Sequence, residues 1–213
     1  MRKYLLHILI ISFVFLLTPT VQVASHAGEI EDAEAHNNLG LAYCAFGKYE
    51  EAIESYKQAI RINPDFEDAH FNLGLAYIMS GKWKEAIDAF KQAIEIGPDY
   101  AISHFNLGLA YHNTGKYKEA IKSFKQAIKI YPDYTLAHNG LGAAYAELGM
   151  YEDAIKSAKQ AIRIDPDDAL AHYGLGLGYL LLNDIDSALK QYKILKKLDT
   201  EKANQLFNYI YRE

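Results

Sequence analysis

His70-Phe71-Asn72-Leu73-Gly74-Leu75-Ala76-Tyr77 recurs without a change at His104–Tyr111. The two runs are 34 residues apart, and the same interval separates Pro64, Pro98, Pro132 and Pro166, four of the chain's five prolines. A fixed period in the scarcest chain-breaking residue marks a repeat before any secondary structure is assigned. With Ala33 as position 1, five copies run 33–66, 67–100, 101–134, 135–168 and 169–202 without a gap.

Each copy reads as two helices. His, Leu, Gly and Tyr at positions 4, 7, 8 and 11, as in His70, Leu73, Gly74 and Tyr77, fall on one helical face. Position 15 is Gly47, Gly81, Gly115, Gly149 and then Asn183, the two residue types that tolerate a left-handed C-cap, so the first helix stops there. Ala, Ile, an aromatic and Ala at positions 20, 21, 24 and 27, as in Ala86, Ile87, Phe90 and Ala93, repeat the helical spacing. The proline at position 32 ends the unit, and the Asp after it (Asp65, Asp99, Asp133, Asp167) is expected to help cap the next helix. A mid-helix glycine recurs at position 8 in every copy, at a cost of about 1 kcal/mol each relative to Ala. Close approach of a neighbouring helix is the expected gain. One hairpin cannot bury both its faces, so the copies must stack.

Composition narrows the function. Half of the 213 residues are hydrophobic and 23% are charged, which excludes a disordered or polyelectrolyte chain. A net charge of -5 argues against a generic nucleic-acid binder. The single cysteine, Cys44, excludes an internal disulfide and a cysteine-based zinc cage. HExxH, P-loop, GxSxG and calcium-loop patterns are missing from the sequence. Gly174-Leu175-Gly176-Leu177-Gly178 resembles a piece of a dinucleotide loop, but it sits in register inside the first helix of copy five with no strand before it.

The N-terminus reads separately. Arg2 and Lys3 precede an apolar run from Leu5 to Leu17, Pro19 breaks it, and Ser25-His26-Ala27 puts small residues three and one before a cut. This is the layout of a secretory signal peptide over residues 1–27, followed by a short linker at 28–32. The run is shorter than the roughly 20 residues of a spanning helix. An uncleaved anchor over residues 4–24 stays open, because weak apolarity continues through Val21, Val23 and Ala24. The expected location is therefore outside the cytoplasm, periplasmic or secreted, with membrane contact only through residues 1–27 if they are kept.

The unit resembles the tetratricopeptide repeat, on Leu, Gly, Tyr, Ala, an aromatic, Ala and Pro at positions 7, 8, 11, 20, 24, 27 and 32 over residues 33–202. The resemblance implies an all-α, right-handed α-solenoid of five hairpins, and residues 203–213 carry the pattern of a capping helix. It also implies protein–protein interaction rather than catalysis, with no cofactor. The departures are position 4, which is His throughout rather than an aromatic, Ala158 at position 24, and the decayed fifth copy with Asn183, Ile185, Leu195 and Thr200.

The five position-4 histidines (His36, His70, His104, His138, His172) are read as packed in place of the family's Trp. Copies stacked about 10 Å apart cannot readily share a metal whose His–metal bond is about 2 Å. His112 lies on another face and is the one histidine considered for a functional role. Lys57, Lys91, Lys125, Lys159 and Lys193 at position 25 read as a solvated face, with a basic stripe for an acidic partner as the other reading.

The resemblance further implies that the first helices line a concave surface, with positions 2, 5, 9, 12 and 13 facing a ligand. The candidate binding residues there are Asn37, Asn38, Leu41, Phe71, Asn72, Leu75, Ile78, Phe105, Asn106, Leu109, His112, Asn139, Tyr173, Leu177 and Leu180, with Phe71, Phe105 and Tyr173 as anchors. No Lys or Arg occurs on these helices, so the basic carboxylate clamp of the family's chaperone-binding members is missing. The expected partner is an apolar or amphipathic protein segment, not nucleic acid. Two alternatives remain at this point: the stripe packs between neighbouring first helices, or a membrane-anchored adaptor docks through its convex face. An unrecognised enzyme is a distant third reading.

Overall fold

The computed structural model describes residues 30–211. The expected signal peptide lies outside them. The described residues form eleven helices: α1 (30–45), α2 (Tyr49–Ile62), α3 (Glu67–Met79), α4 (Trp83–Ile96), α5 (Ala101–Asn113), α6 (Tyr117–Ile130), α7 (Thr135–Glu147), α8 (Tyr151–Ile164), α9 (Ala169–Leu181), α10 (Ile185–Leu198) and α11 (Thr200–Ile210). The second helices start at Tyr49, Trp83, Tyr117, Tyr151 and Ile185, keeping the 34-residue step. Two boundaries shift. Residues 30–32 of the expected linker are already helical. The capping helix starts at Thr200 rather than 203, because Asp199 caps it through Lys202 N–H at 3.0 Å.

The first helices stop as the glycine period predicts. Gly47 has φ +70° and Asn183 φ +60°, both left-handed. Lys48 N–H bonds Tyr43 O at 2.9 Å while Gly47 N–H bonds Cys44 O at 3.0 Å, the paired bonds of a Schellman turn. The other end of each unit differs from expectation. The N-cap residues are Phe66, Tyr100, Tyr134 and Asp168, one position beyond the expected aspartates, and of these four only Asp168 bonds the helix start by its side chain. The residue after the proline is still inside the turn. Asp65 N–H and Asp167 N–H are held there by Asn63 Oδ1 and Asp165 Oδ1.

The chain divides into two compact units at Ser80/Gly81. In the first, α2 packs against α1 and α3, and Tyr56 is buried against α1. A Cβ on Gly40 would stand 2.5 Å from the Tyr56 ring, which is the close approach that offsets the cost of the position-8 glycine. In the second unit Phe124 is pressed between α5 and α7. A Cβ on Gly108 or on Gly140 would come within 2.7 Å of its ring. Copy four has Ala158 in that place, and a Cβ on Gly142 would stand 3.3 Å from the Ala154 carbonyl oxygen. In copy five Leu206 of α11 fills the space over Gly176. Leu195, Ala203 and Leu206 there form a fully buried cluster that seats the cap.

Two cross-copy contacts recur within the units. The position-4 histidine bonds the carbonyl of the proline six residues before it: His70 to Pro64 at 2.8 Å, His104 to Pro98 at 2.8 Å, His138 to Pro132 at 3.0 Å and His172 to Pro166 at 2.9 Å. A carbonyl only accepts, so Nε2 carries the proton in each. The position-25 lysine reaches over the position-11 tyrosine of the next copy: Lys57 on Tyr77 at 6.0 Å, Lys91 on Tyr111 at 5.9 Å, Lys125 on Tyr145 at 5.5 Å and Lys159 on Tyr179 at 5.6 Å. These distances lie at the outer reach of a cation–π contact, so each contributes at most about 0.5–1 kcal/mol. The lysine row thus reads as a set of bridges between copies.

Candidate protein-binding face

In the second unit the first helices α5, α7 and α9 lie side by side. Positions 2, 5, 9 and 12 of a helix stack along one stripe. On α5 the stripe is Ile102, Phe105, Leu109 and His112; on α7 it is Leu136, Asn139, Ala143 and Ala146; on α9 it is Leu170, Tyr173, Leu177 and Leu180. The outermost row is the open one. Ile102, Leu136 and Leu170 are 40%, 51% and 47% exposed. These three are not among the binding residues expected from the sequence. Their signal was nonetheless present, since position 2 changes from Glu34 and Asp68 to three aliphatic residues.

Deeper along the stripe the side chains pack. Phe105 is half-buried against the Phe124 cluster, its ring 5.8 Å from Phe124 and 5.2 Å from Tyr134. Tyr173, Leu177 and Leu180 pack on the Leu195–Ala203–Leu206 cluster under α11. Burial pushes the Tyr173 hydroxyl pKa up, with Tyr209 adding to the shift. Leu109 is half-buried. His112 is half-buried edge-on to Tyr117 at 5.3 Å, and its Nε2 is shielded without a hydrogen-bond partner.

The amides are largely engaged inside the protein. In the first unit, Asn72 Nδ2 donates to Oδ1 of buried Asn37 at 3.0 Å. Asn106 donates to the Ile102 carbonyl of its own helix at 2.8 Å, and Asn139 donates to Asp168 Oδ2 at 2.6 Å. Asn38 and Leu41 are exposed, while Phe71, Leu75 and Ile78 are half-buried. The candidate residues therefore divide into an open rim and a packed floor. Among the described residues no group of three or more His, Cys, Asp or Glu side chains is placed to hold a metal, and no helix is long and apolar enough to cross a membrane.

An interaction face of apolar stripes on stacked helical hairpins is the arrangement of a helical-repeat scaffold. Family models described as TPR repeat match residues 40–81, 75–115 and 144–182, and models described as Tetratricopeptide repeat match 101–134 and 123–156. The chain belongs to the tetratricopeptide repeat family, an all-α solenoid fold of protein–protein interaction scaffolds. Similar solved structures include MamA, 26% identical over 78% of this chain and 97% of that one, with a TM-score of 0.73. A thermophilic TPR protein of Thermus thermophilus is 25% identical over 84% and 100%, with a TM-score of 0.63. YrrB, a TPR protein with an unusual peptide-binding site, is 21% identical over 90% and 97%, with a TM-score of 0.72. No curated protein sequence matches the chain.

Proposed function

We propose that this scaffold works outside the cytoplasm and captures an apolar or amphipathic segment of a partner protein across α5, α7 and α9. The exposed row Ile102, Leu136 and Leu170 carries the reading. Three aliphatic side chains on adjacent helices, one per copy at a spacing of about 10 Å, suit positions i and i+7 on one face of an apolar helix, two turns apart. The first helices carry no Lys or Arg, so capture rests on burial and depends weakly on salt. Export rests on the basic start and short apolar run before Ser25-His26-Ala27.

The test begins with co-purification from the envelope fraction and N-terminal sequencing of the recovered chain. A start near Gly28 supports export; an intact Met1 in the membrane pellet favours the anchor. Leu136→Glu and Leu170→Glu should lower capture of the recovered partner at least about thirtyfold, the effect of losing roughly 2 kcal/mol of anchoring. Capture unchanged in both variants would overturn the binding face.

A further inference from the structure

Among the described residues the α1 face of the first unit is open. Leu39 at position 7 of the first copy is 44% exposed, whereas Leu73, Leu107, Leu141 and Leu175 in the later copies are 8% exposed or less. In those copies the preceding second helix packs over this face. Here it is instead a groove of about 270 Å³, with His36, Leu39 and Tyr43 on one wall and Glu51 and Glu54 on the other. The sequence before α1 lacks the second-helix pattern of the repeat. Positions 20, 21, 24 and 27 of a preceding copy would fall on Thr18, Pro19, Gln22 and Ser25 in place of Ala, Ile, an aromatic and Ala.

The last two helices of the second unit carry a complementary surface. Phe207 and Tyr211 are 40% and 59% exposed, with ring centroids 4.4 Å apart, and Phe207 lies 5.4 Å from Tyr192 of α10. Lys196 lies over Tyr192 at 5.9 Å, and Lys193 and Lys197 are exposed beside it. The second unit thus presents an aromatic ridge with a basic flank, and the first an apolar groove bearing two glutamates. The lysine-to-tyrosine bridges have the same direction. Tyr43 meets Lys48 of its own copy at 6.0 Å, and among the described residues no position-25 lysine lies behind it and no position-11 tyrosine lies ahead of Lys193.

We propose that the open α1–α2 groove takes the α10–α11 ridge of a second copy of this chain, so that copies associate head to tail. Phe207 and Tyr211 of one copy cover Leu39 and Tyr43 of the next, and its lysines meet Glu51 and Glu54. Different patches meet in such a contact, so it extends into chains or rings rather than stopping at a symmetric dimer.

Sedimentation velocity of the full chain across a concentration series tests this. Association should appear and should weaken in salt of about 0.5 M, because opposite charges face each other. Glu51→Lys/Glu54→Lys and Lys193→Glu/Lys196→Glu/Lys197→Glu alter exposed side chains and should each fold normally by circular dichroism. Each alone should weaken association at least about tenfold, and a one-to-one mixture of the two should restore it, since reversed ends then pair. Leu136→Glu should leave association unchanged, which separates this contact from partner capture. A parent chain that stays monomeric at every concentration, or association indifferent to both reversals, would overturn the proposal.

Discussion

Nε2–H of His104 donates to the carbonyl of Pro98 at 2.8 Å, from a side chain that is 9% exposed. The proline ends the second helix of one copy, and the histidine belongs to the first helix of the next. A residue that breaks the chain's regular bonding is thereby answered by the residue six positions on. The bond also explains why histidine stands where the family favours a large aromatic ring: it fills similar space and adds a donor.

His104→Phe keeps the ring volume and removes that donor. The expected loss is about 1–2 kcal/mol, the cost of leaving a screened carbonyl unpaired. For a chain of this size the thermal midpoint should fall by roughly 2–8 °C. An unchanged midpoint would mean that the Pro98 carbonyl finds another donor.

Two glycines should respond to alanine in opposite directions. Gly174 has nothing within 4 Å of where a Cβ would stand, so Gly174→Ala should raise stability by about 0.5–1 kcal/mol through helix propensity alone. At Gly108 the same Cβ would stand 2.7 Å from the Phe124 ring, so Gly108→Ala should be destabilising by about 1–3 kcal/mol. Urea midpoints of the two variants, run side by side, decide it. A shift in the same direction for both rejects the packing account.

Ser103 is fully buried and its hydroxyl has no partner. The same position holds Ala69, Ala137 and Ala171 in neighbouring copies. Ser103→Ala should therefore stabilise the protein by about 1 kcal/mol, since it removes an unpaired buried hydroxyl. Calorimetry showing a lower melting temperature would reject this.

The cap helix should loosen in acid. Asp199 has its carboxyl pKa held below the ordinary value, first by its bond to Lys202 and then by backbone N–H groups at the start of α11. A depressed folded pKa gives stability that is present above the unfolded value of about 3.9 and is lost as pH falls through the folded one. Protection of α11 against hydrogen exchange, taken relative to the intrinsic rate at each pH, should fall below about pH 4 in the parent. Asp199→Asn should be less protected at neutral pH and lose most of that acid dependence. Equal acid sensitivity in both chains would place the titrating group elsewhere.

The helical pairs were readable from the sequence because each is fixed by side chains with strong local rules. Glycine takes the left-handed turn, proline stops the helix, and small residues face the aromatic at position 24. The histidine bond was not readable, because its acceptor is a backbone carbonyl that every residue has. The aspartate caps failed by one residue, a register that depends on how the turn closes. The lysine bridges span a constant 20 residues from Lys57 to Tyr77 and from Lys125 to Tyr145, yet only the stacking of copies shows that the two meet. On the binding face, Phe105 and Tyr173 carry the apolar character expected of anchors, but sequence alone does not distinguish a half-buried ring from an open one. Their depth comes from Phe124 and α11.

Phe124 locks two copies at once because a Cβ on Gly108 or Gly140 would meet its ring, whereas past Ala158 the next contact is keyed by an aliphatic side chain: a Cβ on Gly178 would stand 2.8 Å from Ile155. The second unit therefore holds its copies in register by two kinds of key, an aromatic ring between α5 and α7 and a branched aliphatic side chain between α8 and α9. Loss of either key leaves the other seated.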